Sequence, residues 1–254
     1  MSGEPTLWVG HTAYPQWSLY SESRERGATR QMTIINPPPI LPQQPPQTII
    51  VQPGRRISAL DYAQLPSEPG WRTELSQGVV VKMPLIRDLR HEHLASTAHG
   101  SLWAFVTPRR WGRCTLEQGG FNVTLPGETE ETIWGPDVSY STNDRVTVQE
   151  AAIARGEYAP APDLVVEIAS ASQSRPELAD RAARWLGAGA RLVWIVWPAS
   201  QTVDAWWLPA TPVGSPGAAQ TPTLTLSAQD PLNAVLEGRD VIPGFRLTLT
   251  DLFT

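Results

Sequence analysis

Residues 161–172, APDLVVEIASAS, constrain this chain more than any other stretch. Four of the five residues from Leu164 to Ile168 are apolar, which reads as a strand buried on both faces. The fifth is Glu167. A carboxylate buried in such a strand costs several kcal/mol unless it has a partner. A helix is predicted next, over about 175–187. Ser174 and Glu177 stand at capping-box spacing, Pro176 lies in the first turn, and Gly187 and Gly189 close it. RLVWIVWP then supplies a second apolar strand. Strand, capped helix and strand in that order lay the helix back over a sheet.

The rest of the chain fits around this unit. Residues 1–56 carry INPPPILPQQPPQTIIVQP and little that could pack, so they are expected to form an extended, Pro-rich, flexible arm. A folded domain is expected over 57–254. SALDYAQLP reads as a short helix capped by Ser58 and stopped by Pro66, and TELSQGVVVKM as a hairpin around Ser76–Gly78. Residues 91–106 place Leu94, Ala98, Leu102 and Phe105 on one helical face. Strands are expected at about 113–117 and 120–125, through TIWGPDVSY as one strand, and at TVDAWWL. Residues 209–240 read as a Pro/Gly/Ser-rich loop interrupted by TLTLS, and DVIPGFRLTLTDLF as a terminal segment docked on the core. The fold class is therefore α/β, a mixed β-sheet flanked by helices.

Several function classes fall away on composition. The formal net charge is −5, which argues against broad attraction to nucleic acid but leaves room for a local basic groove. Cys114 is the single cysteine, so no internal disulfide forms. The start shows no secretory signal pattern, and the expected setting is a reducing cytoplasm. No apolar run approaches the roughly 18–20 residues that span a bilayer. Neither a phosphate-cradling Gly loop nor a Gly-x-Ser-x-Gly elbow occurs.

Three carboxylates remain to be explained: Glu74, Asp137 and Glu167, each in or beside a predicted strand. If they converge, their repulsion calls for a cation, and hard oxygen ligands select Mg²⁺, Mn²⁺ or Ca²⁺. The competing reading pairs Glu167 with Arg181 or Arg184 in a buried ion pair. Arg181 lies on the flank of the helix face formed by Leu178, Ala182, Trp185 and Leu186, from which it could reach the end of the Glu167 strand. Trp185 belongs to the core. His91 and His93 point about 200° apart on a helix and cannot share a metal; solvation or capping accounts for them. Arg109, Arg110 and Arg113 are the best local phosphate contact or a solvated turn. Trp197 and Trp207 fit core or dimer packing better than base stacking.

TELSQG, the RHEHL helix start, GPDVSY, PDLVVEIASASQS, LVWIVWP and IPGFRLTLTDLF occur in this order. In that arrangement they resemble the Uma2 family of assigned endonucleases, itself similar to the restriction-endonuclease-like PD-(D/E)xK superfamily. The resemblance spans about 57–254. It implies a metal-dependent endonuclease acting on DNA with Mg²⁺ or Mn²⁺ and working as a homodimer. It also implies that Asp137, Glu167 and the backbone carbonyl of Ile168 hold the metal, while Glu74 and Arg181 complete the catalytic set. His91 is implied only as a supporting or phosphate contact. Departures are specific: Arg181 stands where the family usually has lysine, Val79 follows the Gln77-Gly78 turn, Ala171 replaces a proline between Ser170 and Ser172, and Trp197 replaces an aspartate. Arginine, unlike lysine, does not shed its proton to act as a base. The alternative is therefore a weak or inactive nuclease-fold module that binds nucleic acid or assembles with a protein partner through the Pro-rich arm.

Overall fold

The computed structural model describes residues 54–84, 88–116, 120–207, 221–230 and 234–254. The expected arm, residues 1–56, lies outside the described residues up to position 53, as do residues 209–220 and 231–233 of the expected loop. From Gly54 the chain reaches α1 (Ala59–Tyr62), where the Ser58 hydroxyl accepts from the Asp61 amide. β1 (Trp71–Ser76) and β2 (Val79–Pro84) form the expected antiparallel hairpin. Its two turn residues, Gln77 and Gly78, have φ of 47° and 75°. A two-residue loop of this hand needs positive φ at both places, which suits glycine at the second. α2 (Leu89–Val106) starts at the Asp88 cap and buries Leu94, Ala98 and Leu102.

Next come β3 (Gly112–Leu116), β4 (Phe121–Asn122), β5 (Ile133–Trp134) and β6 (Val138–Thr142). The span expected as one strand, TIWGPDVSY, is thus two strands, and they belong to different sheets. Pro136 lacks an amide proton and cannot continue a ladder, so the chain changes sheet there. α3 (Asn143–Ala154), capped by Thr142, was not anticipated. β7 (Ala159–Pro160) and β8 (Leu164–Ile168) lead into α4 (Arg175–Gly187), whose capping box between Ser174 and Glu177 is formed in both directions. β9 (Leu192–Trp197), β10 (Thr202–Trp206) and β11 (Leu224–Ser227) continue the sheet. β12 (Val235–Glu237), β13 (Arg246–Thr248) and α5 (Leu249–Phe253) close the chain.

The fold is mixed α/β, as expected, with its strands divided between sheets. One runs β2-β1-β5-β4-β7, a second β11-β10-β9-β8-β6-β3, and β12-β13 form a small third. In the second sheet β8 and β9 are parallel, joined by α4, while β6 and β10 flank them antiparallel. β8 shows why its sequence is continuously apolar. Leu164, Val166 and Ile168 pack on the side that includes Leu94, Leu102 and Leu252; Val165 and Ala169 pack on the side that includes Leu178, Ala182 and Trp185. Both faces are covered by helices, so neither can be polar. Glu167 alternates onto the second of these faces.

Candidate active site

Register brings the carboxylates together. β6 and β8 pair with Val138 opposite Val166 and Ser139 opposite Val165. Extending that register by one residue sets Asp137, just before β6, opposite Glu167. Glu74 arrives from β1 in the other sheet. All three are buried, at 5 % exposure for Glu74, 3 % for Asp137 and 4 % for Glu167. Carboxylates this deep persist only with strong partners.

Arg181, from the middle of α4, is the principal one. Its Nε donates to Glu167 Oε1 at 2.6 Å. Its Nη1 and Nη2 donate to Glu74 Oε2 and Oε1 at 2.9 and 2.7 Å, a two-toothed grip. Trp134 of β5 faces the guanidinium from 4.4 Å. Glu167 Oε1 also accepts from Trp185 Nε1 at 2.7 Å. Trp185 is therefore core, fully buried, and a support of the site as well. Arg184 pairs instead with Glu128. The expected pairing of Glu167 with an arginine is present, and Arg181 fills that role.

Asp137 is held differently. Its Oδ2 accepts the Ile168 amide at 2.6 Å and lies 3.3 Å from His91 Nε2. His91 is 4 % exposed, so it is neither solvated nor a cap, contrary to expectation; the cap is Asp88. Arg72, two residues before Glu74 on the same side of β1, stands 3.7 Å from Asp137 Oδ1 and 3.9 Å from Glu74 Oε1. Arg72 and Trp134 were missed in the sequence. The period-two spacing of Arg72 from Glu74 was the available signal. The glycine at the sheet crossing also serves the site: the Gly135 amide donates to Glu74 Oε1 at 3.1 Å, and its carbonyl accepts from Arg181 at 3.3 Å.

Electrostatics follow from this arrangement. Burial raises the Glu167 pKa, Arg181 opposes that, and Asp137 and Glu74 add to it; the net result is a rise to about 7. Burial alone would lower the Arg181 pKa, but Glu167 and Glu74 outweigh it and keep the guanidinium charged. With Glu167 ionised and His91 neutral, three carboxylates against the two guanidiniums of Arg72 and Arg181 leave one negative charge over, a surplus that the Glu167 proton cancels below about pH 7.

Other candidates lie elsewhere. Arg109 stacks on Phe105 at 3.9 Å, and Arg113 pairs with Glu150 at 2.6 Å. Trp197 donates to Asp204 beneath Arg175, and Trp207 lies under Arg239. Burial pushes the Cys114 thiol up to about 12, which keeps it from acting as a thiolate.

No three His, Cys, Asp or Glu side chains among the described residues are arranged to hold a metal ion. The described residues therefore form no closed cage of the zinc kind. It does not conflict with Mg²⁺, which takes one or two carboxylates and completes its shell with water and phosphate oxygens. Glu167 and Asp137 satisfy that requirement. Each has one oxygen, Oε2 and Oδ1, without a hydrogen bond among the described residues. The uncompensated charge has the matching sign.

The family model described as Uma2, "Putative restriction endonuclease", matches residues 59–250. The chain belongs to the Uma2 family. A solved structure titled as a putative nuclease belonging to DUF820, from Anabaena variabilis ATCC 29413, is 24% identical to this Uma2 chain. The match has a TM-score of 0.56 and covers 76% of this chain and 96% of that one. At this identity the likeness shows the fold. No curated protein matches. Family and fold together point to a nuclease. No helix among the described residues of this Uma2 protein is long and apolar enough to cross a membrane.

Proposed function

We propose that this Uma2 protein is a metal-assisted endonuclease that hydrolyses phosphodiester bonds in DNA. The observation that carries the reading is the meeting of Glu74, Asp137, Glu167 and Arg181, drawn from β1, the β5–β6 crossing, β8 and α4, in a cluster with surplus negative charge. Asp137 and Glu167 would hold Mg²⁺ or Mn²⁺, with the Ile168 carbonyl as a further ligand. Bound there, the cation would polarise the phosphate and lower the pKa of a water. The chain's own groups position the rest. Trp185 fixes Glu167, His91 and the Ile168 amide orient Asp137, and Glu74 holds Arg181 by two hydrogen bonds. Arg181 offsets negative charge developing on the phosphate. A homodimer would treat two strands, the Pro-rich arm would serve a protein partner, and the proposed setting is the cytoplasm.

One observation favours a second reading. Arg181 is bonded by two carboxylates and cannot serve as a base. A binding module without turnover would keep such an ion-paired cluster for structure alone. Plasmid and single-stranded DNA incubated with Mg²⁺ or Mn²⁺ separate the two. The nuclease reading expects cleavage that is lost in Asp137→Asn and Glu167→Gln and kept or increased in Arg181→Lys. Metal should also raise the melting temperature of the wild type. No cleavage with either ion, and no metal-induced stabilisation, leaves the module.

A further inference from the structure

We infer that the cleft beside Glu74 is a nucleobase-binding site, and that the protein's substrate presents an unpaired base there. The inference rests on the nuclease reading and adds the class of nucleic acid. The cleft has a volume of about 530 Å³, within the ~300–1,000 Å³ range of small-ligand sites. Four aromatic residues line it, Tyr62, Trp71, Trp134 and Tyr158, with Arg72, Glu68 and Glu74 as its charged walls. Trp71 is 44 % exposed, an unusual position for so large a ring in a strand. Tyr62 and Tyr158 stand 6.1 Å apart at 30°, closer to parallel than to edge-on.

Three features direct the choice of occupant. Flat aromatic walls favour a flat aromatic guest, and every base offers a π-face. Polar recognition is also available. The Tyr62 hydroxyl is committed to Thr73 at 2.7 Å, but the Tyr158 hydroxyl has no hydrogen-bond partner among the described residues. Finally, the cleft shares walls with the carboxylate cluster. Glu74 and Arg72 line it, and the same two side chains contact Arg181 and Asp137. A nucleotide with its base in this cleft therefore brings its backbone toward the carboxylates. A base still stacked in a duplex cannot enter; one from a single strand, or one flipped out, can.

The test uses the full-length protein in Ca²⁺ with a short fluorescein-labelled single strand and the corresponding blunt duplex, read by anisotropy. A second single strand carries a fluorescent aminopurine. Trp71→Ala should weaken single-strand binding by about five- to a hundredfold, the loss of one stacked base. It should abolish the quenching of aminopurine seen with the wild type and leave the melting temperature unchanged. Trp71→Phe should restore most of the affinity. Tyr158→Phe should reduce discrimination among bases. Equal affinity of Trp71→Ala and wild type for the single strand overturns the inference, as it would if the cleft took a protein segment instead. Equal losses on single strand and duplex overturn it too. If the wild type cleaves DNA while the Trp71 variants behave normally, this inference alone fails. If the wild type neither binds nor cleaves either form, the nuclease reading fails with it.

Discussion

Glu167 and Arg181 share hydrogen bonds yet are not equals. Arg181 compensates two carboxylates; removing it leaves Glu167 buried without its cation and Glu74 with only Arg72, 3.9 Å away. Arg181→Ala should therefore cost about 3–5 kcal/mol in metal-free urea unfolding. Glu167 stands on the other side of the balance. Its pKa is raised from 4.5 to about 7, so the folded state binds its proton more tightly than the unfolded state. Stability from this group is full below pH 4.5 and falls as pH rises toward 7, by up to roughly 3 kcal/mol. Glu167→Gln should remove that decline and leave metal-free stability at pH 8 equal to or above wild type. A strong loss instead, coupled to the loss from Arg181→Ala in the double variant, would mark the two as a structural pair. Trp185 joins the cluster to the core, since its Nε1 donates to Glu167. Trp185→Ala should cost about 3–5 kcal/mol by equilibrium denaturation, because the ring fills a core that also includes Leu178, Ala182 and Phe121.

At the scale of elements, α4 is held to the segment between β4 and β5 by Arg184, which grips both oxygens of Glu128 at 2.7 and 2.9 Å. The Arg184 hydrogen bonds lower the Glu128 pKa from 4.5 to about 2, against some burial. A depressed carboxyl stabilises above its unfolded pKa, so this contribution is present above pH 4.5 and is lost as pH falls toward 2. The pair is partly solvated, so Glu128→Gln should cost only about 1 kcal/mol at pH 7. Wild type and variant should converge on acid titration of the melting temperature. Much of α4 was legible beforehand. Its capping box, its Pro in the first turn and its apolar face are local signals, and so are the apolar runs of β8 and β9. α3 was not legible. It buries Val146, Gln149 and Ala152, and one of those three is polar, so no clear apolar stripe announces it. The sheet crossing at Gly135-Pro136 was hidden for another reason: the β-branched and aromatic residues on both sides of it, Ile133-Trp134 and Val138–Thr142, read as one extended run, and only the proline marked the break. The carboxylate set was visible as acidic residues on strands. Arg72 was not, and His91 was suggested only by the family resemblance, because their importance comes from contacts across sheets and layers that no local pattern records.

At the scale of the molecule, the domain is expected to stand without its first segment. Within the described residues, chain pairing already begins at Arg56, which bridges to Val79, and at Ile57, whose amide donates to the Gly78 carbonyl at 2.8 Å. A truncation starting at Arg55 keeps these contacts and should keep one cooperative melting transition near that of the full chain. Insolubility, or a large drop in melting temperature, would show that the arm contributes to the fold. The separation of the site's parts has one more consequence. Glu74 and Arg181 lie 107 positions apart, and Asp137 and Glu167 fall between them. A chain under synthesis lacks the guanidinium until most of its length has left the ribosome, and long-range pairings of this kind form late. On the proposed reading, a nascent chain that has not yet exposed Arg181 carries an incomplete cluster, so cleavage by ribosome-bound chains shorter than this is not expected.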